Sequence, residues 1–128
     1  MTDHHHHSIH LGAAWEPPVP SAGGGTEWKR RFGRPAGLEP GDRVLLVVAQ
    51  AEVAVGVTMN AVPLPRLPAG TGRWTHDVTP LLRDRNELVL AMTGPVPAVA
   101  NDAAHGRGPL PAACGRVALE IVSADHHA

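Results

Sequence analysis

Five histidines crowd the first ten residues: His4, His5, His6, His7 and His10. Imidazole is a common ligand for divalent transition metals, so a tract of this kind can hold an ion through several rings. No helical H-x-x-x-H frame fixes these rings. The expectation is therefore adventitious metal on a purification tag or native tail, with no dedicated cofactor. His76 and His105 are isolated and read as surface or core residues. The single cysteine, Cys114, pairs on paper with His105, but no third group is in view to orient a nucleophile. Acid–base hydrolysis needs two carboxylates at a defined separation, and Asp77 with Glu120 is the pair worth testing. The sequence has no Gly-x-Ser-x-Gly elbow, phosphate loop or dinucleotide fingerprint. Gly23-Gly24-Gly25 precedes a strand rather than a helix, so it offers no helix N-terminus to a phosphate. The chain is expected not to be an enzyme.

The elements that position these residues repeat in steps of two. Ser8 to Ala13 alternates as a short edge strand with Ile9, Leu11 and Ala13 on one face. Trp15 to Gly25 is a proline-rich loop. Thr26 to Phe32 sets Trp28, Arg30 and Phe32 opposite Glu27, Lys29 and Arg31. Arg43 to Ala49 is apolar on both faces, as in the middle of a layered sheet. Glu52 to Met59 alternates cleanly, Asn60-Ala61 forms a turn, and Val62-Pro63-Leu64 returns from it. Arg73 to Val78 is another strand. Thr79-Pro80-Leu81-Leu82 reads as a brief helical turn, with Thr79 as N-cap and Pro80 at the first position. Asn86 to Met92 and Arg116 to Val122 are strands separated by an aperiodic stretch from Thr93 to Cys114.

About eight strands at short intervals, without crossover helices, exclude a parallel sheet. The expected fold class is all-β: an antiparallel two-sheet sandwich of the jelly-roll kind with one short helical turn. Residues 8–125 form that single domain, between a histidine-rich tail at 1–7 and a short tail at 126–128. With 128 residues and a net charge of -1, the chain is one domain in size and lacks the basic footprint of a nucleic-acid binder. The longest apolar run, Val44 to Ala49, is too short to span a membrane as a helix. No apolar leader follows Met1, so a reducing cytoplasm is the expected compartment.

One order of motifs is familiar. Lys29-Arg30-Arg31-Phe32-Gly33-Arg34-Pro35 is followed by Gly41-Asp42-Arg43-Val44-Leu45-Leu46, then Val57-Thr58-Met59-Asn60-Ala61. Trp74-Thr75-His76-Asp77-Val78-Thr79 leads to Leu81-Leu82-Arg83 and Asn86-Glu87-Leu88-Val89-Leu90. This order, from about Trp28 to Leu90, resembles the N-terminal sugar-binding domain of family 2 glycoside hydrolases, a galactose-binding-like jelly roll. Ala61 stands where that family has a turn glycine, which points to a different turn type. In those enzymes the catalytic carboxylates lie in a separate barrel, so the resemblance implies a non-catalytic carbohydrate-binding or accessory module.

Sugar recognition uses a flat aromatic face together with polar groups for the hydroxyls. Three tryptophans, one phenylalanine and no tyrosine make such platforms scarce. Trp28 and Phe32, on one strand face, and Trp74, at the start of a core strand, read first as packing residues. Trp15, among loop prolines, is the best candidate for an exposed platform, the alternative being that it covers one end of the sandwich. The candidate ligand set is Trp15 or Trp74 with Arg73, His76 and Asp77. The alternative is a structural, self-assembling oligomer in which an unpaired edge such as Ser8 to Ala13 pairs with a second copy. The expected partners are thus carbohydrate or the chain itself, and neither nucleic acid nor membrane.

Overall fold

The computed structural model describes residues 6–20, 25–92, 110 and 112–123. Nine strands are described: β1 (His6–His10), β2 (Val19–Pro20), β3 (Thr26–Gly33), β4 (Arg43–Ala49), β5 (Val55–Met59), β6 (Val62–Pro63), β7 (Arg73–Asp77), β8 (Arg85–Met92) and β9 (Arg116–Val122). One sheet runs β1-β9-β4-β7 and the other β2-β3-β8-β5-β6. Every pairing is antiparallel. Together they form the expected all-β sandwich. Among the described residues no helix is long and apolar enough to cross a membrane.

Alternation decides which side chains meet between the sheets. From one sheet come Val44, Leu46, Val48, Trp74, Val117 and Leu119; from the other, Trp28, Val55, Val57, Met59, Leu88, Leu90 and Met92. Burying these side chains is the main force favouring the fold, since each contributes about 1.5–3 kcal/mol. The two-faced apolar pattern of β4 has a local explanation. Its outward Val47 is only 5% exposed although it is not part of the cluster between the sheets. Arg73 leaves β7 in the Ala49 row, and Glu120 sits on β9 in the Leu45 row. Their 2.7 Å ion pair therefore crosses β4 in the row of Val47, where an arginine's aliphatic stem can shield it.

Several local expectations change. β1 begins at His6, inside the stretch assigned to the tail, and ends at His10 rather than Ala13. Beyond it, the Leu11 amide still bonds the Val117 carbonyl at 2.9 Å, but Ala13 is exposed. β2 lies within the segment read as loop, and β5 starts at Val55, not Glu52. Thr79 is not the N-cap: it is the first residue of a 3-10 turn, Thr79–Leu81, whose cap position is Val78. A second such turn, Ala112–Cys114, ends the stretch read as aperiodic; most of that stretch lies outside the described residues.

The β5–β6 hairpin keeps the two-residue left-handed turn despite lacking glycine. Asn60 has φ 50° and Ala61 has φ 69°, the signature of a type I′ turn. Alanine in this region is strained by roughly 1–2 kcal/mol. Ala61→Gly is accordingly expected to stabilise the fold by about 0.5–1 kcal/mol once glycine's greater unfolded-state freedom is subtracted. A urea-denaturation midpoint measures this; an unchanged or lower midpoint would show that the alanine is not strained.

Candidate functional site

β7 carries four of the five residues expected to form a ligand site, and its pleat separates them. Arg73 and Asp77 project from the outer face of the four-stranded sheet, in register with Ala49 and Leu45. Trp74 and His76 share the opposite face, their rings stacked with centroids 6.1 Å apart and planes 19° from parallel. Trp74 is in the core and His76 is half-buried. The fifth residue corrects an expectation: Trp15 is 1% exposed, not a platform in solvent. Ala14 reverses the chain with φ 66°, the Glu16 amide bonds the Lys29 carbonyl, and the Trp15 indole N–H donates to the Leu11 carbonyl at 2.5 Å. The five candidates therefore do not converge on one surface.

Asp77 serves the fold. One carboxylate oxygen accepts the Thr79 amide at 2.9 Å and the Thr79 hydroxyl at 2.6 Å. That hydroxyl in turn accepts the Val44 amide at 2.8 Å, so Asp77 locks the 3-10 turn onto β4. Its second oxygen lies 3.9 Å from Arg43. Partial burial raises the Asp77 pKa, but the two Thr79 hydrogen bonds and the charges of Arg43 and His76 outweigh it and hold the carboxyl below its ordinary 3.8. A depressed carboxylate contributes stability that is present above the unfolded-state pKa and is lost as pH falls through the folded one. Thermal melts below about pH 4 are expected to show a smaller acid loss in Asp77→Asn than in the parent. Parallel acid profiles would remove this linkage.

Asp77 and Glu120, the carboxylate pair singled out in the sequence, do share a row, on either side of Leu45. Two strand spacings put their backbones about 10 Å apart. Each faces an arginine, however, Asp77 meeting Arg43 and Glu120 meeting Arg73. A general acid needs a raised pKa, whereas Asp77 is pushed down.

Of the histidine tract, His4 and His5 lie outside the described residues, as does His105. His6, His7 and His10 belong to β1, and the pleat puts His7 and His10 on opposite faces, both exposed. Among the described residues no group of three or more His, Cys, Asp or Glu could hold a metal ion. Cys114 is fully buried, and burial raises its pKa to about 11. The thiol is a packing group at neutral pH.

A shallow groove of about 960 Å³ opens elsewhere, where the end of β3 faces the start of β8. Arg31, Phe32, Gly33, Asp84, Arg85, Asn86 and Glu87 line it. Asn86, 2% exposed, fixes its floor. The Asn86 amide oxygen accepts the Arg83 N–H at 2.9 Å and the Asn60 amide at 3.0 Å. Its NH2 donates to the carbonyls of Arg83 at 3.0 Å and Phe32 at 3.4 Å. Asn60 completes the lock by donating to the Leu81 carbonyl and accepting the Glu87 amide, both at 2.8 Å. One buried amide pair thus holds β3, β8 and the hairpin turn in fixed relation, an arrangement that rigidifies when fully satisfied. Sequence reasoning missed this groove because Phe32 and Asn86 are 54 residues apart and meet only through register. The available signal was the clustering of arginine in both segments, Arg31 with Arg34 and Arg83 with Arg85.

A scan against protein-family models finds no match, and a search of curated proteins finds no relative. Solved structures do match. An uncultured Clostridium sp. β-glucuronidase aligns with TM-score 0.66 and 12% identity over 95% of this chain and 30% of its own. The Bifidobacterium dentium β-glucuronidase complexed with coumarin-3-O-glucuronide gives TM-score 0.64 and 18% identity over 95% and 31%. A Novosphingobium sp. PP1Y rhamnosidase gives 0.61 and 12% over 94% and 16%. The chain spans less than a third of the length of each. It has the fold of a β-sandwich domain carried by these glycosidases, as the motif order from Trp28 to Leu90 implied.

Proposed function

We propose that this chain is a non-catalytic β-sandwich module that binds carbohydrate in support of a separate catalytic unit. One observation carries the reading: nearly the whole chain superposes on a domain filling only 16–31% of glycosidases that act on glycosides. The groove between β3 and β8 supports it further, being a polar concavity with an aromatic edge on a rigid floor. The residues of β7 contribute through stability rather than contact. The test pairs a glycan array with hydrolysis assays on aryl glucuronide and aryl rhamnoside. Saturable binding to at least one glycan without turnover is expected. Turnover by the purified chain, or silence across the array, would overturn the reading.

A second reading, self-association, is favoured by β1, which ends its sheet with no partner on its outer side among the described residues. Its sequence has neither proline nor lysine to block pairing with another copy. Light scattering over a concentration series separates the readings. A dimer abolished by Ser8→Lys supports edge pairing; a monomer throughout eliminates it.

A further inference from the structure

We propose that the groove between β3 and β8 recognises carboxylate-bearing glycans, with Arg85 and the flanking Arg34 and Arg83 meeting the carboxylates. This rests on the carbohydrate-binding reading and names its ligand class. The charge distribution carries the argument. The chain has a net charge of -1, yet Arg31, Arg34, Arg83 and Arg85 gather at this end against Asp84 and Glu87. Arg31 is held by Glu16 at 3.5 Å and Glu87 at 3.7 Å. Arg34, Arg83 and Arg85 are exposed and make no ion pair among the described residues. The pairing of Gly33 with Arg85, and the 3.0 Å bond from the Arg34 amide to the Asp84 carbonyl, keep the three close together. Guanidinium presents a planar fork matched to a carboxylate, and such charge-assisted bonds are the strong ones.

The surroundings favour a glycan over an acidic peptide. An extended peptide gains affinity by adding to a free strand edge. Along the groove the facing edges of β3 and β8 are paired with each other, Arg31 with Glu87 through Gly33 with Arg85, so a peptide finds no open edge between them. Phe32 packs against the core from the Asn86 row, and Gly33, in register with Arg85, adds no side chain to the groove. Asp84 and Glu87 supply acceptors for hydroxyls. Asn86 has its amide bonded on both atoms, so it acts as a positioning residue for Phe32 and Arg83.

The experiment is calorimetric titration with tetragalacturonate and with its fully methyl-esterified form, in which each carboxylate is replaced by an uncharged methyl ester. The acid is expected to bind at least about tenfold more tightly than the ester. Its affinity should also fall several-fold as NaCl rises from about 20 to about 300 mM. Arg34→Gln with Arg85→Gln, both at exposed positions, should weaken the acid at least about tenfold and leave the ester unchanged. Circular dichroism confirms that the variant is folded, and Arg83→Gln provides an independent replacement if it is not. Equal binding of acid and ester would overturn the carboxylate inference while leaving carbohydrate binding intact. Binding of neither, together with a silent array, would overturn both. Equal affinity for poly-glutamate would overturn the choice of a glycan.

Discussion

Trp15→Ala is expected to lower stability by about 3–5 kcal/mol, the range for removing a fully buried large aromatic side chain. The side chain is 1% exposed and packs in the central cluster with Leu11, Trp28 and their neighbours. Its indole N–H satisfies the Leu11 carbonyl, so the alanine variant leaves both a cavity and a carbonyl without its partner. A solvent-exposed platform would behave differently, with changes of a few tenths of a kcal/mol and an altered ligand affinity. Chemical denaturation measures the difference directly. A loss under about 1 kcal/mol would mean that Trp15 does not occupy the core. Acrylamide quenching gives an independent reading, because Trp15, Trp28 and Trp74 are all buried and should be shielded together.

Gly115→Ala should be comparably damaging, at about 2–5 kcal/mol, through backbone geometry rather than lost burial. Gly115 has φ +85°, and an added Cβ would meet the Ala49 carbonyl oxygen at 2.6 Å and the Ala51 amide nitrogen at 3.0 Å. Both obstacles are main chain, which cannot swing aside as a side chain would. The site matters because it joins the Ala112–Cys114 turn to β9, the strand lying between β1 and β4. Cys114 provides a built-in reporter. In the parent protein its buried thiol should react slowly with a thiol reagent at neutral pH. In Gly115→Ala the reaction should accelerate as local opening becomes frequent. A parent-like rate and denaturation midpoint would show that the backbone relaxes around the new methyl group.

The strands were legible where alternation spans five residues or more, as in β3, β5, β8 and β9, and β4 was legible from its apolar run on both faces. β2 was not, because the two residues Val19 and Pro20 carry no period and are extended only by pairing with Glu27 and Thr26. Ala61 misled for a related reason. Local propensity argued against a left-handed alanine, but Asn60, bonded into the Asn86 network, holds the turn in that form. Trp15 misled because a proline-rich segment suggests exposure, whereas Ala14 turns the chain inward.

The ligand candidates on β7 show a different kind of miss. Period two, which identifies β7 as a strand, already separates Arg73 and Asp77 from Trp74 and His76. Proximity in sequence suggested a cluster that the pleat forbids. Conversely, the groove depends on register between segments about fifty residues apart, which composition and spacing do not specify. The arginines that gather there stand in two separate segments and become a site only when those segments pair.

The most direct test of the account is an amide NMR titration of the intact chain with tetragalacturonate. Shifts confined to Arg31–Arg34 and Arg83–Glu87, with Trp15, Trp74 and Asp77 unmoved, are the expected result. Shifts centred on Trp74, His76 and Asp77, with the groove silent, would contradict it.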